Sequence, residues 1–600
     1  MRGWPCALTG PSRPRFGKNE TDWACIGGRM KTRHMTGSEA FTEALRIEGV
    51  EVIYGIVGSA FMDPLDIFNR AGIRFVQVRH EQSAALMAEG YGCAKGVPGV
   101  CIGQNGPGVT NLVTGLASAK LNHTPVVVIT PAVPSTLMGT GAFQEIDQVD
   151  MLRPVTVHQV AVRRADRIGE AIRTAFRAAW ALGGPVQVDI PRDYFYAEWD
   201  ELELLPSQYR TDGRRGGARG DQVAAAADML ADAKFPVILA GLGVVRSGAT
   251  ELVKELAETL GAPVANIFMH NDAFPMSHPL GLGAIGYQGS KAAMRVVADA
   301  DVILALGTRL NNFGLNPQHG IDFFPADARL IQNSHDPLEL GAQRPISVGL
   351  CGDCAQVAGQ LITALADRTV SSDSAAARAR VAGEKTAWLA ELEQMSNVEG
   401  SPMHPRRALW ELSRAMPEGV TVVADIGNVS GTASAYFNPD RPGRFLGAGS
   451  LGGIGVSYPT AIGAKMARPD EPVCVIVGDG AWSMTLQEVM TAASEKVNIV
   501  AILMNNGVYG AERRNQYDFF DERYFWTELE NPDFSRVAED MGVIAERITN
   551  PGDIAPALDR AFKADAPVVL ELMVDGKMLS EPYRRDALQK PRRHLPLYQN

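Results

Sequence analysis

The stretch Val473–Glu512 constrains the fold most, because it places a turn and a helix between two short apolar runs. The first run, Val473–Val477, ends at a Gly-Asp-Gly turn, and a helix is predicted from about Met484 to Ala493. The second run, Ile499–Met504, ends at Asn-Asn-Gly. This order predicts two parallel strands joined by a crossover helix.

Each of these predicted strands is followed by a side chain that suits a metal ion. Asp479 follows the first strand and Asn506 the second, and the ends of neighbouring parallel strands meet at the edge where such sheets bind ligands. A carboxylate, an amide oxygen and a backbone carbonyl just past Asn506 would suit Mg²⁺, with phosphate oxygens and water as further ligands. The glycines and the helix N-terminus favour a phosphate group there. Gly-Asp-Gly alone is also typical of an ordinary turn, so the second strand end is the informative part.

The same alternation of strand and helix continues through the chain, which predicts an α/β protein built of three doubly wound, parallel-sheet domains. The predicted strands of the first two domains are Val52–Ile56, Phe75–Val78, Val100–Ile102, Val126–Ile129, Val186–Ile190, Val237–Ala240, Val302–Leu306 and Leu330–Gln332. The predicted segments are a disordered tail or sequence upstream of the true start (1–34), a first domain (35–200), a central domain (222–367), a third domain (402–575) and a C-terminal tail (576–600). A charged, Ala-rich stretch, Ser372–Met395, is predicted to be an exposed linker helix between the last two domains.

Composition excludes several classes of function. A net charge of −11 over 600 residues argues against nucleic acid as a main partner. No apolar run is long enough to cross a bilayer. Seven scattered cysteines are typical of a reduced, cytoplasmic protein, and Cys351-Gly-Asp-Cys354 has no second pair to complete a zinc site. We therefore expect a cytoplasmic protein with neither nucleic acid nor a membrane as a main partner.

A second group of residues in the first domain carries a resemblance to a known family. Arg79-His80-Glu81 ends a predicted strand and leads into an Ala-rich helix, and Gly103–Asn111 forms a glycine-rich turn further on. Glu81 alone would be read as a helix-capping acid. Together with the Asp479–Asn506 unit, these segments resemble the thiamine diphosphate (ThDP) enzymes, in their acetolactate synthase-like branch.

The resemblance implies the cofactors ThDP and Mg²⁺ and a role for each matching residue. In that family a glutamate at the position of Glu81 activates the cofactor by exchanging a proton with its pyrimidine ring. The implied catalytic residues are Glu81, His80, Gln144, Arg513 and Arg514. The implied cofactor-binding residues are Glu81, Gly106, Asn111, Gly427, Asn428, Gly453, Ile454, Gly478, Asp479, Gly480, Ala481, Asn506 and Val508, with Asp479, Asn506 and Val508 holding the metal.

Several segments are closer to one branch of the family, the sulfoacetaldehyde acetyltransferases. These are His270–Pro275, Ala305–Asn311, Tyr509–Asn515 and Glu581–Ala587. The branch implies that sulfoacetaldehyde and phosphate are converted to acetyl phosphate and sulfite. Arginine suits such tetrahedral oxyanions, so Arg513 and Arg514 are expected at the site mouth, and Arg584 and Arg585 on a tail that could cover it. The family resemblance also implies a homo-oligomer, at least a dimer and commonly a tetramer, with sites shared between subunits.

Some alternatives stay open at this point. Acetolactate synthase or another ThDP-dependent lyase or decarboxylase is the nearest, and FAD could bind the central domain without a catalytic role. Gly281–Gly286 has the spacing of a dinucleotide fingerprint but follows no predicted strand. This context argues against the alternative that the protein is a nicotinamide-dependent dehydrogenase. A silent, non-catalytic protein of the same fold is disfavoured by the presence of Glu81, Asp479 and Asn506 together. His80, His123 and His270 rank below Glu81 as acid–base groups.

Overall fold

The computed structural model describes residues 31–203, 205–209, 216–578 and 588–598 of the chain. These residues form three six-stranded parallel sheets covered by helices on both faces, and each sheet lies within one of the three predicted domains. The predicted α/β fold class is therefore confirmed. The central strands are buried on both sides, which explains their continuous apolar sequence.

The first sheet holds the strand ends that precede Glu81 and Gly106. In spatial order its strands are Arg74–Gln77, Val52–Gly55, Gly99–Ile102, Val126–Ala132, Pro185–Pro191 and His158–Ala161. Its helices are Gly37–Ile47, Met62–Phe68, Glu81–Lys95, Pro107–Asn111, Val113–Leu121, Gln148–Leu152 and Ile168–Leu182. The edge strand His158–Ala161 was not predicted, because it is half exposed and carries little apolar signal.

The start of the folded chain differs from the prediction. Residues 32–34, assigned above to a tail, belong to strand Thr32–Thr36, which pairs antiparallel with Glu198–Leu202. Thr36 then caps the first helix in a capping box with Glu39. Folded structure therefore begins before Met35, while residues 1–30 lie outside the described part of the chain.

The central domain repeats the same architecture. Its strands are, in spatial order, Gly281–Ala284, Val264–Asn266, Pro236–Ala240, Val302–Leu306, Arg329–Ser334 and Val348–Cys351. Its helices are Gly220–Asp232, Leu242–Arg246, Thr250–Leu260, Lys291–Val297, Asn312–Leu315, Cys354–Leu365 and Ser374–Ser396. The last is the predicted linker helix, and it buries Val381, Trp388 and Leu392 against this domain.

The third domain holds the opening stretch of the sequence. Its strands are, in spatial order, Phe445–Gly447, Thr421–Ala424, Val473–Gly478, Val500–Asn505, Val568–Met573 and Ile544–Ile548. Its helices are Pro405–Ala415, Asn428–Ala433, Ser457–Ala467, Asp479–Thr485, Val489–Glu495, Gly510–Phe519, Phe534–Asp540 and Ile554–Lys563. The single helix predicted from about Met484 to Ala493 is instead two short helices, Asp479–Thr485 and Val489–Glu495, and Asp479 lies in the first turn of the first one. The predicted lid residues Arg584 and Arg585 fall in 579–587, outside the described residues.

Two helices join the first and third domains through glycines. Helix Glu81–Lys95 packs on helix Ser457–Ala467, and both are almost fully buried. A Cβ on Gly90 would lie 2.0 Å from the carbonyl oxygen of Thr460, and one on Gly463 would lie 2.0 Å from that of Met87. The two backbones approach this closely only because these positions lack side chains. The helix that begins with Glu81 is thus fixed against the third domain.

None of the helices in the described residues is long and apolar enough to span a bilayer. The cytoplasmic location stays a prediction. Gly281–Ala284 forms a strand, and the next helix starts only at Lys291, so the glycine fingerprint does not open a helix as a dinucleotide loop does. The described residues contain no cluster of three or more His, Cys, Asp or Glu side chains that could hold a metal, and Cys351 and Cys354 belong to no such cluster.

Candidate active site

Glu81 lies in a buried corner of the first domain. It is the first residue of its helix, and the preceding His80 caps that helix by accepting the N–H of Gln82 on Nδ1 at 3.1 Å. Only 7% of Glu81 is exposed, and Asn111 Nδ2 donates to its Oε2 at 2.9 Å. The strand end, the helix start and the glycine-rich turn thus bring Glu81 and Asn111 together.

The turn between these residues leaves room beside the carboxylate. A Cβ on Gly108 would lie 3.1 Å from Glu81 Oε1, so any side chain there would crowd that oxygen. Gly106 has a φ of +72° and packs against Gln144, where a Cβ would lie 2.6 Å from the Gln144 carbonyl oxygen. The loop that carries Gln144 therefore lies against the turn that contains Gly106, and Gly108 of the same turn lies beside Glu81.

The predicted metal ligands meet at the carboxyl edge of the third sheet. Gly478 and Met504 are paired residues on neighbouring strands, so Asp479 and Asn506 follow side by side. The N–H of Gly507 donates to Asp479 Oδ2 at 2.8 Å, and Asn506 Oδ1 accepts the N–H of Val508 at 3.2 Å. Burial raises the pKa of the Asp479 carboxyl, and a cation would stabilise its charged form. These hard oxygens fit Mg²⁺.

A ring of amides and glycines surrounds this turn. Gly427 has a φ of +117° and precedes the short helix at Asn428. A Cβ on Gly510 would lie 3.1 Å from Asn428 Nδ2 and 3.6 Å from Asn506 Nδ2, so both amides lie beside Gly510. The ring of Tyr509 covers Gly480, where a Cβ would lie 2.4 Å from it. Backbone N–H groups and amides at one edge form a polar site suited to a diphosphate.

Asp425 anchors the loop that holds Gly453 and Ile454, and sequence reasoning did not assign it this role. Its buried carboxylate accepts the N–H of Gly455 at 3.0 Å and both the N–H and Oγ–H of Ser457, at 2.9 and 2.6 Å. Burial raises the pKa of this carboxyl, although these bonds oppose the rise. An acid at a strand end was visible in the sequence, but its partners lie some thirty residues away.

Two more polar residues that support the site were missed. Glu488 is fully buried and accepts the backbone N–H of Arg79 on Oε1 at 3.1 Å, across the boundary between the third and first domains. Asn531 Nδ2 donates to Asp479 Oδ2 at 2.6 Å and to Asn505 Oδ1 at 3.0 Å. Neither lies in a motif, so only the folded chain reveals these contacts.

The two predicted arginines differ in their surroundings. Arg514 is held by Asp518 through two bonds of 2.9 Å, which offset its charge. Arg513 stacks on the ring of Tyr524, 4.2 Å from its centre, and lies 3.4 Å from the exposed carboxylate of Glu528. Arg513 is thus the more available of the two for an anionic ligand.

The histidines ranked below Glu81 lie in other surroundings. His123 contacts Glu339 of the central domain, with 3.1 Å between Nε2 and Oε1. His270 is buried, and its burial, with Arg246 and Arg309 nearby, lowers its pKa to about 3. His270 is therefore neutral at ordinary pH.

The site residues form two separate groups within one chain. One lies around Glu81 and Gln144 in the first domain, and the other around Asp479 and Asn506 in the third. Across the described ranges, no hydrogen bond or ion pair joins Glu81 to Asp479 or Asn506. The clearest link near them is the bond from Glu488 to the backbone of Arg79.

Comparisons with known proteins match each domain separately. The N-terminal TPP binding domain of thiamine pyrophosphate enzymes matches residues 35–151, the central domain 223–361 and the C-terminal TPP binding domain 425–572. A sulfoacetaldehyde acetyltransferase of Castellaniella defragrans is 44% identical over 95% of this chain and 98% of its own length. One from Alcaligenes xylosoxydans xylosoxydans is 45% identical over 94% of this chain and 97% of its own length. An acetolactate synthase of Mycobacterium leprae is 34% identical over 98% of this chain and 94% of its own length.

Proposed function

We propose that this chain, which belongs to the thiamine pyrophosphate enzyme family, is a sulfoacetaldehyde acetyltransferase. The observation that carries this proposal is its end-to-end similarity to proteins of that name, at 37–45% identity. The acetolactate synthases are more distant, at 33–34%. The family and branch predicted from the sequence agree with these matches.

The reaction joins a carbon–sulfur cleavage to an acyl transfer. The bond between the CH₂ group and sulfur breaks, and sulfite leaves with the electron pair. The aldehyde carbon is oxidised to the level of a carboxylic acid derivative, and the CH₂ carbon is reduced to CH₃. The oxidation and the reduction balance, so no external oxidant is needed. An oxygen of phosphate then forms a bond to the acyl carbon, giving acetyl phosphate.

Two groups of residues would hold the cofactor. Bound ThDP supplies the nucleophilic carbon that adds to the aldehyde. Asp479, Asn506 and the carbonyl of Val508 would hold Mg²⁺ and, through it, the diphosphate. The remaining contacts to ThDP would come from Gly427, Asn428, Gly453, Ile454, Gly478, Gly480, Ala481, Gly106 and Asn111.

Glu81 would exchange the proton that activates the cofactor. Asn111 binds Oε2 of its carboxylate and leaves Oε1 beside Gly108, where the absence of a side chain would give a ring nitrogen of the cofactor access to it. His80 uses Nδ1 to cap the helix, so it would orient Glu81 more than it would transfer protons. General acid–base groups of this kind contribute about 10²- to 10⁴-fold to rate.

Arg513 would bind at least one of the two substrate anions. The substrates bring a sulfonate and a phosphate into a site that already carries a diphosphate, so cationic groups must offset the charge. Arg513 lies on the helix that follows the Asn506 turn, whereas Arg514 is neutralised by Asp518. Excluding water from this region would prevent loss of the acetyl group as acetate.

The complete site would form between two copies of the chain. The Glu81 group and the Asp479 group have no direct bond within one described chain, and the loops beside them expose Phe143 and Trp526, at 88% and 93%. A second copy of the chain would cover these side chains and bring its own Glu81 group to the Asp479 group. A dimer is the minimum and a tetramer is the expected assembly, so light scattering should give a mass of at least twice 64.5 kDa.

A sulfite-release assay tests the proposed function directly. Purified protein with ThDP, Mg²⁺ and phosphate should release sulfite from sulfoacetaldehyde, and release should stop without ThDP. Consumption of pyruvate with no release of sulfite would support the acetolactate synthase alternative instead. FAD binding in the central domain stays a prediction without a catalytic role, and the visible absorbance of the purified protein would report it.

A further inference from the structure

Gln104 lies at the centre of an amide network that the reaction described above does not use. It follows strand Gly99–Ile102 in the turn that leads to Gly106. Its Oε1 accepts the N–H of Ala60 at 3.1 Å, and its Nε2 donates to Gln144 Oε1 at 3.1 Å and to Asn105 Oδ1 at 2.7 Å. Both ends of the Gln104 amide are therefore fixed.

The same network holds the backbone of Gln144. Asn105 is 2% exposed, and its Nδ2 donates to the carbonyl oxygen of Gln144 at 3.2 Å. Gln144 has a φ of +63°, in the left-handed region that residues with side chains seldom adopt. Strained residues held by their surroundings are concentrated at functional sites. Two neighbouring amides thus hold one strained residue, by its side chain and by its backbone.

The network lies next to the Glu81 carboxylate. A Cβ placed on Gly108 would lie 3.1 Å from Glu81 Oε1 and 3.2 Å from Gln104 Cβ, so these two residues flank the same glycine. Gly58 closes the other side, where a Cβ would lie 2.1 Å from Gln104 Oε1. Gln144 is therefore hydrogen-bonded to a residue that shares a glycine neighbour with Glu81.

The orientation of the Gln144 amide decides which groups it presents. Its Oε1 is taken by Gln104, and in the described part of the chain its Nε2 has no acceptor. The amide therefore presents two N–H donors and no free carbonyl to the site. These N–H donors can bind an anionic oxygen. If the Gln144 amide were turned over, its carbonyl oxygen would face that anion and repel it.

We infer that Gln104 is a positioning residue, which orients the Gln144 side chain so that its N–H groups bind the sulfonate of the substrate. This inference rests on the proposed function, because it names the group of sulfoacetaldehyde that the first domain binds. It assigns the sulfonate to the Gln144 side of the site and leaves phosphate to Arg513.

The test compares Gln104→Glu with Gln104→Ala. A carboxylate at position 104 can still accept the N–H of Ala60, but it cannot donate to Gln144 and would instead accept from Gln144 Nε2, which turns the amide over. Gln104→Glu should raise the KM for sulfoacetaldehyde about 10- to 100-fold, the range for losing a hydrogen bond to a charged group. Gln104→Ala only frees Gln144 and should raise it less. The KM for phosphate should not change in either variant.

Two controls separate positioning from a general effect. Gln77→Glu adds the same charge at an exposed position of the same domain and should leave both KM values unchanged. In Gln144→Ala, a further Gln104→Ala change should have no added effect if Gln104 acts through Gln144.

Each outcome decides the inference. Sulfite release by the wild type with an unchanged KM in Gln104→Glu, or a rise in the KM for phosphate instead, would overturn this inference alone. Additive effects of the two alanine changes would also overturn it. If the wild type releases no sulfite from sulfoacetaldehyde, the proposed function fails and the inference fails with it.

Discussion

Replacing Gly463 with alanine should weaken the contact between the first and third domains. The new Cβ would lie 2.0 Å from the carbonyl oxygen of Met87, whereas ordinary contacts begin at 3.4 Å. The helices would have to separate by about 1.4 Å, the difference between these distances. Because the obstacle is backbone and cannot rotate away, we expect a cost of about 3 kcal/mol, at the upper end of overpacking effects.

Gly383→Ala is the matched control for this change. Gly383 is an exposed residue within helix Ser374–Ser396, and a Cβ there would meet nothing within 4 Å. The same substitution should therefore stabilise the protein by about 0.5–1 kcal/mol, the helix preference of alanine over glycine.

Urea unfolding followed by tryptophan fluorescence would measure both variants. Trp482 packs on Tyr458 beside the Gly463 helix, with 5.0 Å between the rings, and Trp388 lies on the helix of Gly383. Gly463→Ala should also slow turnover, because the helix it displaces begins with Glu81. An unfolding midpoint for Gly463→Ala equal to or above that of the wild type would refute this explanation of the domain contact.

Three further predictions concern single side chains. Glu81→Gln should reduce sulfite release at least about 100-fold without changing the unfolding midpoint, and a wild-type rate in this variant would remove Glu81 from its role. Asn531→Ala removes a donor to Asp479 Oδ2, so the Mg²⁺ concentration for half-maximal activity should rise about 10-fold; an unchanged requirement would contradict this. Burial raises the pKa of the Asp272 carboxyl to about 6, above its value in the unfolded chain. The protonated carboxyl therefore adds about 3 kcal/mol to the free energy of unfolding below about pH 4, and this contribution is lost as the pH rises through 6. Asp272→Asn should therefore flatten the pH dependence of unfolding between pH 4 and 7, and curves parallel to the wild type would count against it.

The sequence was most informative where residues act close to where they lie in the chain. Asp479 and Asn506 could be placed together because parallel strands align their ends at one sheet edge. Glu81 could be placed at a helix start because an apolar strand precedes it and an Ala-rich helix follows. The rhythm of apolar runs likewise predicted the three sheets.

The supporting contacts could not be predicted, since their partners are distant in sequence and specific in geometry. Asp425 binds Gly455 and Ser457, and Glu488 binds Arg79 from another domain. Nothing in the pattern around Glu488 distinguishes it from a surface acid of a helix. The pairing of Arg514 with Asp518 is different, because a spacing of four residues on a helix is itself a signal for an ion pair.

The proposed function requires that the protein transfer the acetyl group formed from sulfoacetaldehyde to phosphate. Phosphorus NMR of the purified protein with ThDP, Mg²⁺, phosphate and sulfoacetaldehyde tests it most directly, with sulfite measured in the same sample. We predict that acetyl phosphate and sulfite appear in equal amounts and that neither appears with pyruvate in place of the aldehyde. Acetolactate formed from pyruvate, with no acetyl phosphate from sulfoacetaldehyde, would contradict the claim.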